Sequence, residues 1–359
     1  MRSAGLVTSI GIAVGTGLLL GPLMLSWKPP TECGDIFGAD DLLLPPPAGA
    51  TDLFFRTGIV GLDNGICALT HFFKDAQTRP SVPIAQLSSA LLFSVFVAMG
   101  LFQALESTRR TARGFIAWPA ITGTLSQIFG VSFVVPALWL PTFFYSYPTP
   151  LAKKPLVALP VADVSLGSVA LVGLIGLGAV AFATIYLLMT VATDQVFQLA
   201  FVVFQFWPTF FPLLWPILRL VSPNPTTKPA AGVASVVASA LYRFFALALA
   251  LHYYTAIVAP LVRARSIDAV VASVHFLVAG PTTNSAMPQW FLLVDAVSLF
   301  TSQCLLVLSE SSGRLATLVH FLVGSVVVGP GAALALFCAT REDAIRSTHF
   351  TTGYKSKRR

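Results

Sequence analysis

QWFLLVDAVSLFTSQCLLVL, residues 289–308, is a twenty-residue run of mostly apolar side chains with one carboxylate, Asp295, inside it. A helix needs about 20 apolar residues to cross the hydrocarbon of a bilayer. The stretch therefore predicts a membrane-spanning helix, and the same rule gives seven more candidates along the chain. The eight lie near 5–26, 83–105, 115–144, 163–190, 196–220, 232–258, 289–308 and 315–339. The third is too long to cross untilted, and Pro119, Pro136 and Pro141 are expected to divide or kink it. Residues 267–279 are apolar but short, which suggests an interfacial or re-entrant piece.

Composition agrees. The 359 residues are 55% hydrophobic and 10% charged, with mean hydropathy +0.80, whereas soluble domains carry about a quarter charged residues. An ordinary water-soluble enzyme and a disordered chain are both excluded. The expected fold is all-α: one membrane domain over residues 1–359, a bundle of about eight transmembrane helices with one amphipathic surface segment.

Arg2 precedes the first apolar run, but no small-x-small cleavage site follows before Trp27-Lys28-Pro29-Pro30, so the run reads as a retained anchor. Residues 28–82 form the largest stretch outside the spans. Its opening contains Pro45-Pro46-Pro47, a loop composition. Its second half, 52–79, returns to helical apolar spacing through Phe54, Phe55, Ile59, Leu62, Ile66, Leu69 and Phe73, as expected of a helix at the membrane surface or capping the bundle.

An even number of spans puts both termini on one side. The 340–359 tail and the 106–114 loop are the basic segments, so that side is expected to be cytosolic, in the endoplasmic reticulum membrane. Of the net charge of +7, the last twenty residues supply +4. A solvated tail near anionic lipid accounts for this, and no nucleic-acid partner is implied. The chain has no internal repeat and no Asn-x-Ser/Thr sequon, since Asn224 is followed by Pro225.

The sequence contains no Walker A loop, no GxGxxG after a strand, no HExxH and no GxSxG. Asp40-Asp41 is followed by three leucines, unlike an aspartate-rich site for a magnesium-bound diphosphate. Four cysteines, Cys33, Cys67, Cys304 and Cys338, lack metal-ligand spacing. No metal or cofactor is expected. Cys33 and Cys67 share one extramembrane stretch, and their pairing as a disulfide stays open, depending on whether that stretch is lumenal.

Chemistry must then come from polar groups inside an apolar bundle, where each ionisable residue costs several kcal/mol. Asp295 is about six residues into its span, with Ser298 and Ser302 on the same stripe. A charge there needs a partner or must be neutral, and a neutral carboxyl is what general-acid chemistry uses. Glu106 closes the second span between Gln103 and the Arg109-Arg110 pair. It reads either as a membrane-edge salt bridge or as a functional carboxyl. Asp194, Gln198 and Gln205 share one helical face, which fits a hydrogen-bond seam or a polar wall. Arg243 and His252 lie in the sixth span, where snorkelling or pairing and a packing hydrogen bond are the simplest roles. Asp63, in GLDNG, fits turn chemistry or a lid carboxylate. In FQFWPTFFPLLWPIL, 204–218, three prolines recur every four residues beside Trp207, Phe211 and Trp215. Such an aromatic stripe is either a lipid-facing band or a wall that stabilises cations.

DLFFRTGIVGLDNGICALTHFF, 52–73, followed by QALESTRR, 103–110, resembles the fungal integral-membrane terpene cyclases of meroterpenoid pathways, the ascochlorin, ascofuranone and macrophorin type. The resemblance implies a metal-independent cyclase that protonates an epoxide or terminal olefin of a farnesyl-type chain. It raises Asp63 and Glu106, which lie in the matching segments. The expected catalytic residues are Glu106 or Asp295 as proton donor, with Asp63 positioning that acid or taking up the final proton. Trp207, Trp215, Phe211, Trp118, Tyr253, Gln103, Asp194 and Gln198 are expected to bind a prenylated or terpenoid substrate. The competing functions are a proton-coupled transporter or efflux carrier, and a non-catalytic scaffold.

Overall fold

The computed structural model describes residues 2–26, 33, 59–78, 85–109, 112–146, 164–188, 196, 199, 201–203, 228–265, 267–283, 286–311 and 315–355. Those residues are nearly all helical, with no strand among them. The helices are α1 (Arg2–Ser26), α2 (Val60–Thr78), α3 (Ala85–Ser107), α4 (Pro119–Phe129), α5 (Val131–Ser146), α6 (Leu166–Leu188), α7 (Lys228–Tyr253), α8 (Asp268–Ala279), α9 (Met287–Glu310), α10 (Leu315–Val327) and α11 (Pro330–Lys355). A wide π turn at Tyr254–Val258 carries α7 on to Ala264. A similar turn at Val135–Trp139 lies within α5 around Pro136, which has no N–H to complete the regular ladder. Among the described residues, four helical segments are long and apolar enough to cross a membrane: Ala4–Pro22, Leu87–Ser107, Gly232–Ala264 and Met287–Glu310. They coincide with four of the eight expected spans. The fifth expected span falls largely outside the described residues.

The third and eighth expected spans differ from the sequence reading. Each doubles back at a glycine. The 112–146 segment turns at Gly130, whose φ of 85° is one that L side chains rarely adopt. A Cβ on Gly114, at its start, would sit 3.1 Å from Thr142, near its end, so the two arms run antiparallel. The second hairpin is α10 and α11 about Gly329, also at positive φ. The Phe321 ring stacks on Phe300 of α9, and Gly324 faces Ala333 across the hairpin. Tyr253 and Tyr254 of α7 clamp its tip by donating hydrogen bonds of 3.0 and 2.7 Å to the Val326 and Val327 carbonyls. At 1.5 Å per residue the arms α4 and α10 rise about 16 and 20 Å, well short of a crossing.

Close helix contacts set the register. The Gly331 N–H donates to Ser94 Oγ at 3.2 Å, and a Cβ there would lie 2.2 Å from the Ser94 carbonyl oxygen, so α11 packs in parallel against α3. On α7, Ser235 and Ser239 donate to the Glu342 and Ala339 carbonyls, which makes α7 antiparallel to α11. Gln303 of α9 donates to the Val95 carbonyl at 2.8 Å, and Thr16 of α1 meets Ser298 of α9 at 2.7 Å. The resulting bundle has two distinct ends. One gathers the ends of α3 and α9 with the middle of α11 in a group of charged residues. At the other, α2 lies across the starts of α3 and α9, tied by a Cys33–Cys67 disulfide.

Candidate active site

The break at Gly130 positions the site. It brings the start of α5 against the side of α9, where Asp295 is 4% exposed. The backbone N–H of Ser132 donates to Asp295 Oδ1 at 3.2 Å, and the Ser132 hydroxyl donates to the same oxygen. The Ser298 hydroxyl donates to the Ser132 carbonyl at 3.3 Å, extending the network to Thr16 of α1. Gly130 must be glycine for space as well as for φ, since a Cβ would lie 3.2 Å from Asp295 Oδ1 and 3.3 Å from the Phe291 ring. Asp295 Oδ2 has no hydrogen-bond partner among the described residues, and no cationic side chain pairs with this carboxyl there.

Asp295 lines a cleft enclosed by α2, α3, α4 and α9, with about 630 Å³ of empty space counted out to its open mouth. Its walls are aromatic: Phe72 and Phe73 from α2, Phe93 and Phe96 from α3, and Phe291 from α9. Phe72 meets Phe291 edge to face at 5.4 Å and Phe73 at 5.5 Å, and Phe73 tilts onto Phe201 at 5.0 Å. From α2, within the segment read as amphipathic, Leu69, Phe72 and Phe73 line the cleft.

Glu106 sits at the opposite end of α3, ten residues or about 15 Å beyond Phe96. Its Oε1 accepts from Arg109 Nε at 2.8 Å and from Arg341 Nη1 at 2.9 Å. Arg109 also pairs with Glu342, and Arg341 with Glu310 at 2.5 Å while lying over the Phe102 ring at 5.3 Å. Burial alone would weaken both guanidiniums, but the surrounding carboxylates hold Arg109 and Arg341 above their ordinary range, so both stay charged. Three carboxylates share two guanidiniums here, and burial pushes the Glu342 carboxyl above its ordinary value against the pull of Arg109 and Arg341. This is the salt-bridge alternative for Glu106, extended to a buried network that fastens α3, α9 and α11 together.

Among the described residues, Asp295 lines the cleft while Glu106 lies in the charged group at the other end of the bundle. Asp63 is in the first turn of α2, six residues before Leu69, the first residue of that helix to reach the cleft. Its carboxylate suits the positive end of the helix dipole. Trp118 is 61% exposed and is not among the residues lining the cleft, while the Tyr253 hydroxyl is engaged with the α10–α11 hairpin. Arg243 pairs with Asp343 at 2.6 Å, and His252 makes a packing hydrogen bond to the Ala90 carbonyl at 3.3 Å. Gln103 lines a neighbouring cleft. Asp194, Gln198, Trp207, Phe211 and Trp215 lie outside the described residues. The sequence reading missed Ser132, Gly130 and the phenylalanines around Asp295. Of these, only Phe73 carried a signal, in the 52–79 apolar spacing.

A model of the CtvD domain matches residues 48–346, which covers every helix lining the cleft, the first hairpin and most of the second. The chain belongs to the CtvD domain family. That family model is named after a terpene cyclase-like protein of a meroterpenoid pathway, which puts this CtvD-domain protein in a secondary-metabolite context. Comparison with curated proteins and with solved structures gave no match.

Proposed function

We propose that this protein is a membrane-bound, cofactor-independent terpene cyclase with Asp295 as the general acid. The observation that carries the reading is a carboxyl in a phenylalanine-walled cleft, with Oδ1 held by two donors and Oδ2 without a hydrogen-bond partner among the described residues. The substrate class is a farnesyl-type chain bearing an epoxide or an olefin. The proton on Asp295 Oδ2 passes to the epoxide oxygen, the C–O bond breaks, and a tertiary cation forms. Successive double bonds of the chain then attack to close rings, and a final C–H proton is lost to a base. Protonating an olefin instead adds the proton to carbon and gives the corresponding tertiary cation, with no C–O bond broken and no hydroxyl on the neighbouring carbon. The Ser132 N–H and O–H stabilise the carboxylate left behind. The rings of Phe72, Phe93, Phe96 and Phe291 attract the cations through their π faces, and the apolar walls keep water from trapping them.

On this reading Glu106 fastens the charged end of the bundle and Asp63 anchors the start of α2, and neither touches substrate. The disulfide supports a lumenal position for α2, because such bonds form in oxidising compartments. The charged end, with Arg109, Arg113 and Arg346, is then cytosolic along with both termini, in the endoplasmic reticulum membrane. Microsomes carrying Asp295→Asn, given an epoxidised farnesylphenol, are expected to return it uncyclised. Ring formation at the wild-type rate would remove the acid from the scheme.

A further inference from the structure

The cleft at Asp295 has a neighbour with which it shares wall residues. A second cleft, with about 720 Å³ of empty space counted to its mouth, lies between α3, α4 and α6, and Phe96 and Ser126 line both. Small residues make the room. A Cβ added to Gly100 meets no atom within 4 Å, and Gly123 and Gly176 form other parts of the wall. Two polar residues, Ser126 and Gln103, are among those lining this space. The Ser126 hydroxyl is spent on the Thr122 carbonyl at 2.7 Å. Gln103 Nε2 is buried and has no partner among the described residues. A buried donor without an acceptor is uncommon and calls for one. Gln103 is seven residues beyond Phe96, about 10 Å farther along α3.

We propose that the two clefts form one substrate channel, with Gln103 as the specificity residue at its far end. This deepens the cyclase reading and rests on it. The reactive terminus of the isoprenoid lies at Asp295, the chain passes between Phe96 and Ser126, and an oxygen at its other end accepts a hydrogen bond from Gln103 Nε2. The substrate class is then an isoprenoid joined to an oxygen-bearing head, such as a phenol or carbonyl, and not a bare hydrocarbon terpene.

The test compares farnesylphenol with farnesylbenzene, which lacks only the hydroxyl, as epoxides. Binding to detergent-solubilised protein is measured by displacement of tritiated farnesylphenol, and cyclisation is measured in microsomes. Wild type is expected to prefer the phenol about tenfold, and Gln103→Leu to lose that preference while binding the benzene as before. Gly100→Leu projects into the second cleft and is expected to move the preference from farnesylphenol to the shorter geranylphenol. Gly100→Ala, a smaller step, moves it less. A tenfold phenol preference that survives Gln103→Leu overturns the proposal, as does an unchanged chain-length preference in both Gly100 variants. If either leucine variant fails to elute as a folded monodisperse species, Gly100→Ala decides on the same readout. Bound phenol that wild type never cyclises overturns the acid at Asp295 and leaves the channel standing, whereas cyclisation without discrimination between the two heads does the reverse.

Discussion

Ser132→Ala isolates the contribution of the donors that hold Asp295. The hydroxyl and the backbone N–H of Ser132 both reach Oδ1, and the side chain does not line the cleft. While the proton remains on Oδ2, Oδ1 is an ordinary carbonyl acceptor. As the proton leaves, it becomes part of a carboxylate, and the hydroxyl bond becomes charge-assisted. Hydrogen bonds to charged groups contribute about 1.5–3 kcal/mol, and part of that is realised only in the transition state. At about 1.4 kcal/mol per tenfold in rate, the full amount corresponds to roughly 10- to 100-fold in kcat. KM should barely move, because the missing group touches the acid and not the substrate. The retained backbone N–H at 3.2 Å should leave activity above that of Asp295→Asn. Ser298→Ala is the matched comparison: it also breaks the polar network, but its hydroxyl binds the Ser132 carbonyl and not the carboxyl. Steady-state product formation in microsomes at several substrate concentrations separates kcat from KM. A kcat within about twofold of wild type for Ser132→Ala, or a loss carried by KM, would refute the assignment of Ser132 to the departing proton.

Three other substitutions test other parts of the structure. Gly130→Ala forces a non-glycine residue into a positive-φ conformation at a cost of about 1–3 kcal/mol and drives a methyl group toward Asp295 and Phe291. It should lower both melting temperature and turnover, and a variant with wild-type values of both would show that the turn is not as tight as described. Glu106→Gln leaves Arg109 and Arg341 buried with one carboxylate fewer, a change that typically destabilises by about 3–5 kcal/mol. Thermal unfolding in detergent should drop sharply while the surviving folded protein keeps its kcat, and the opposite pattern would return Glu106 to the reaction. Cys67→Ser opens a cross-link between residues 34 apart in sequence, for which chain entropy gives about 3–4 kcal/mol. Reduced stability is expected, with maleimide reaching the freed Cys33. Maleimide labelling of Cys33 in the unreduced wild type would contradict the disulfide.

The long helices were legible because their signal is additive. Twenty apolar residues read the same way wherever they pack, and Met287–Glu310 contains the run at 289–308 that predicted it. The two hairpins were not, because hydropathy measures apolarity and carries no direction. Residues 115–144 and 315–339 are as apolar as a crossing, and what reverses them is one glycine each, Gly130 and Gly329. A glycine inside an apolar run is common, and its φ becomes known only when the two arms find partners. Clamps such as Tyr253 on Val326 lie dozens of residues away in sequence.

The same cause explains the mixed reading of the acids. Asp295 stood out because a carboxylate at membrane depth is expensive wherever it points. Glu106 stood out for that reason too, and its local neighbour Arg109 suggested a pair. The second arginine, Arg341, comes from the far end of the chain through the register of α11 on α3. Two carboxylates with equal sequence-level cost were thus resolved by long-range packing into different chemical states, one neutralised by cations and one left facing a cleft. That cleft depends on the turn at Gly130, which removes the Cβ that would otherwise occupy the space beside Asp295 and aims the Ser132 N–H at its oxygen. The residue that most shapes the proposed chemistry thus has no functional group, which is why no search for reactive side chains would have found it.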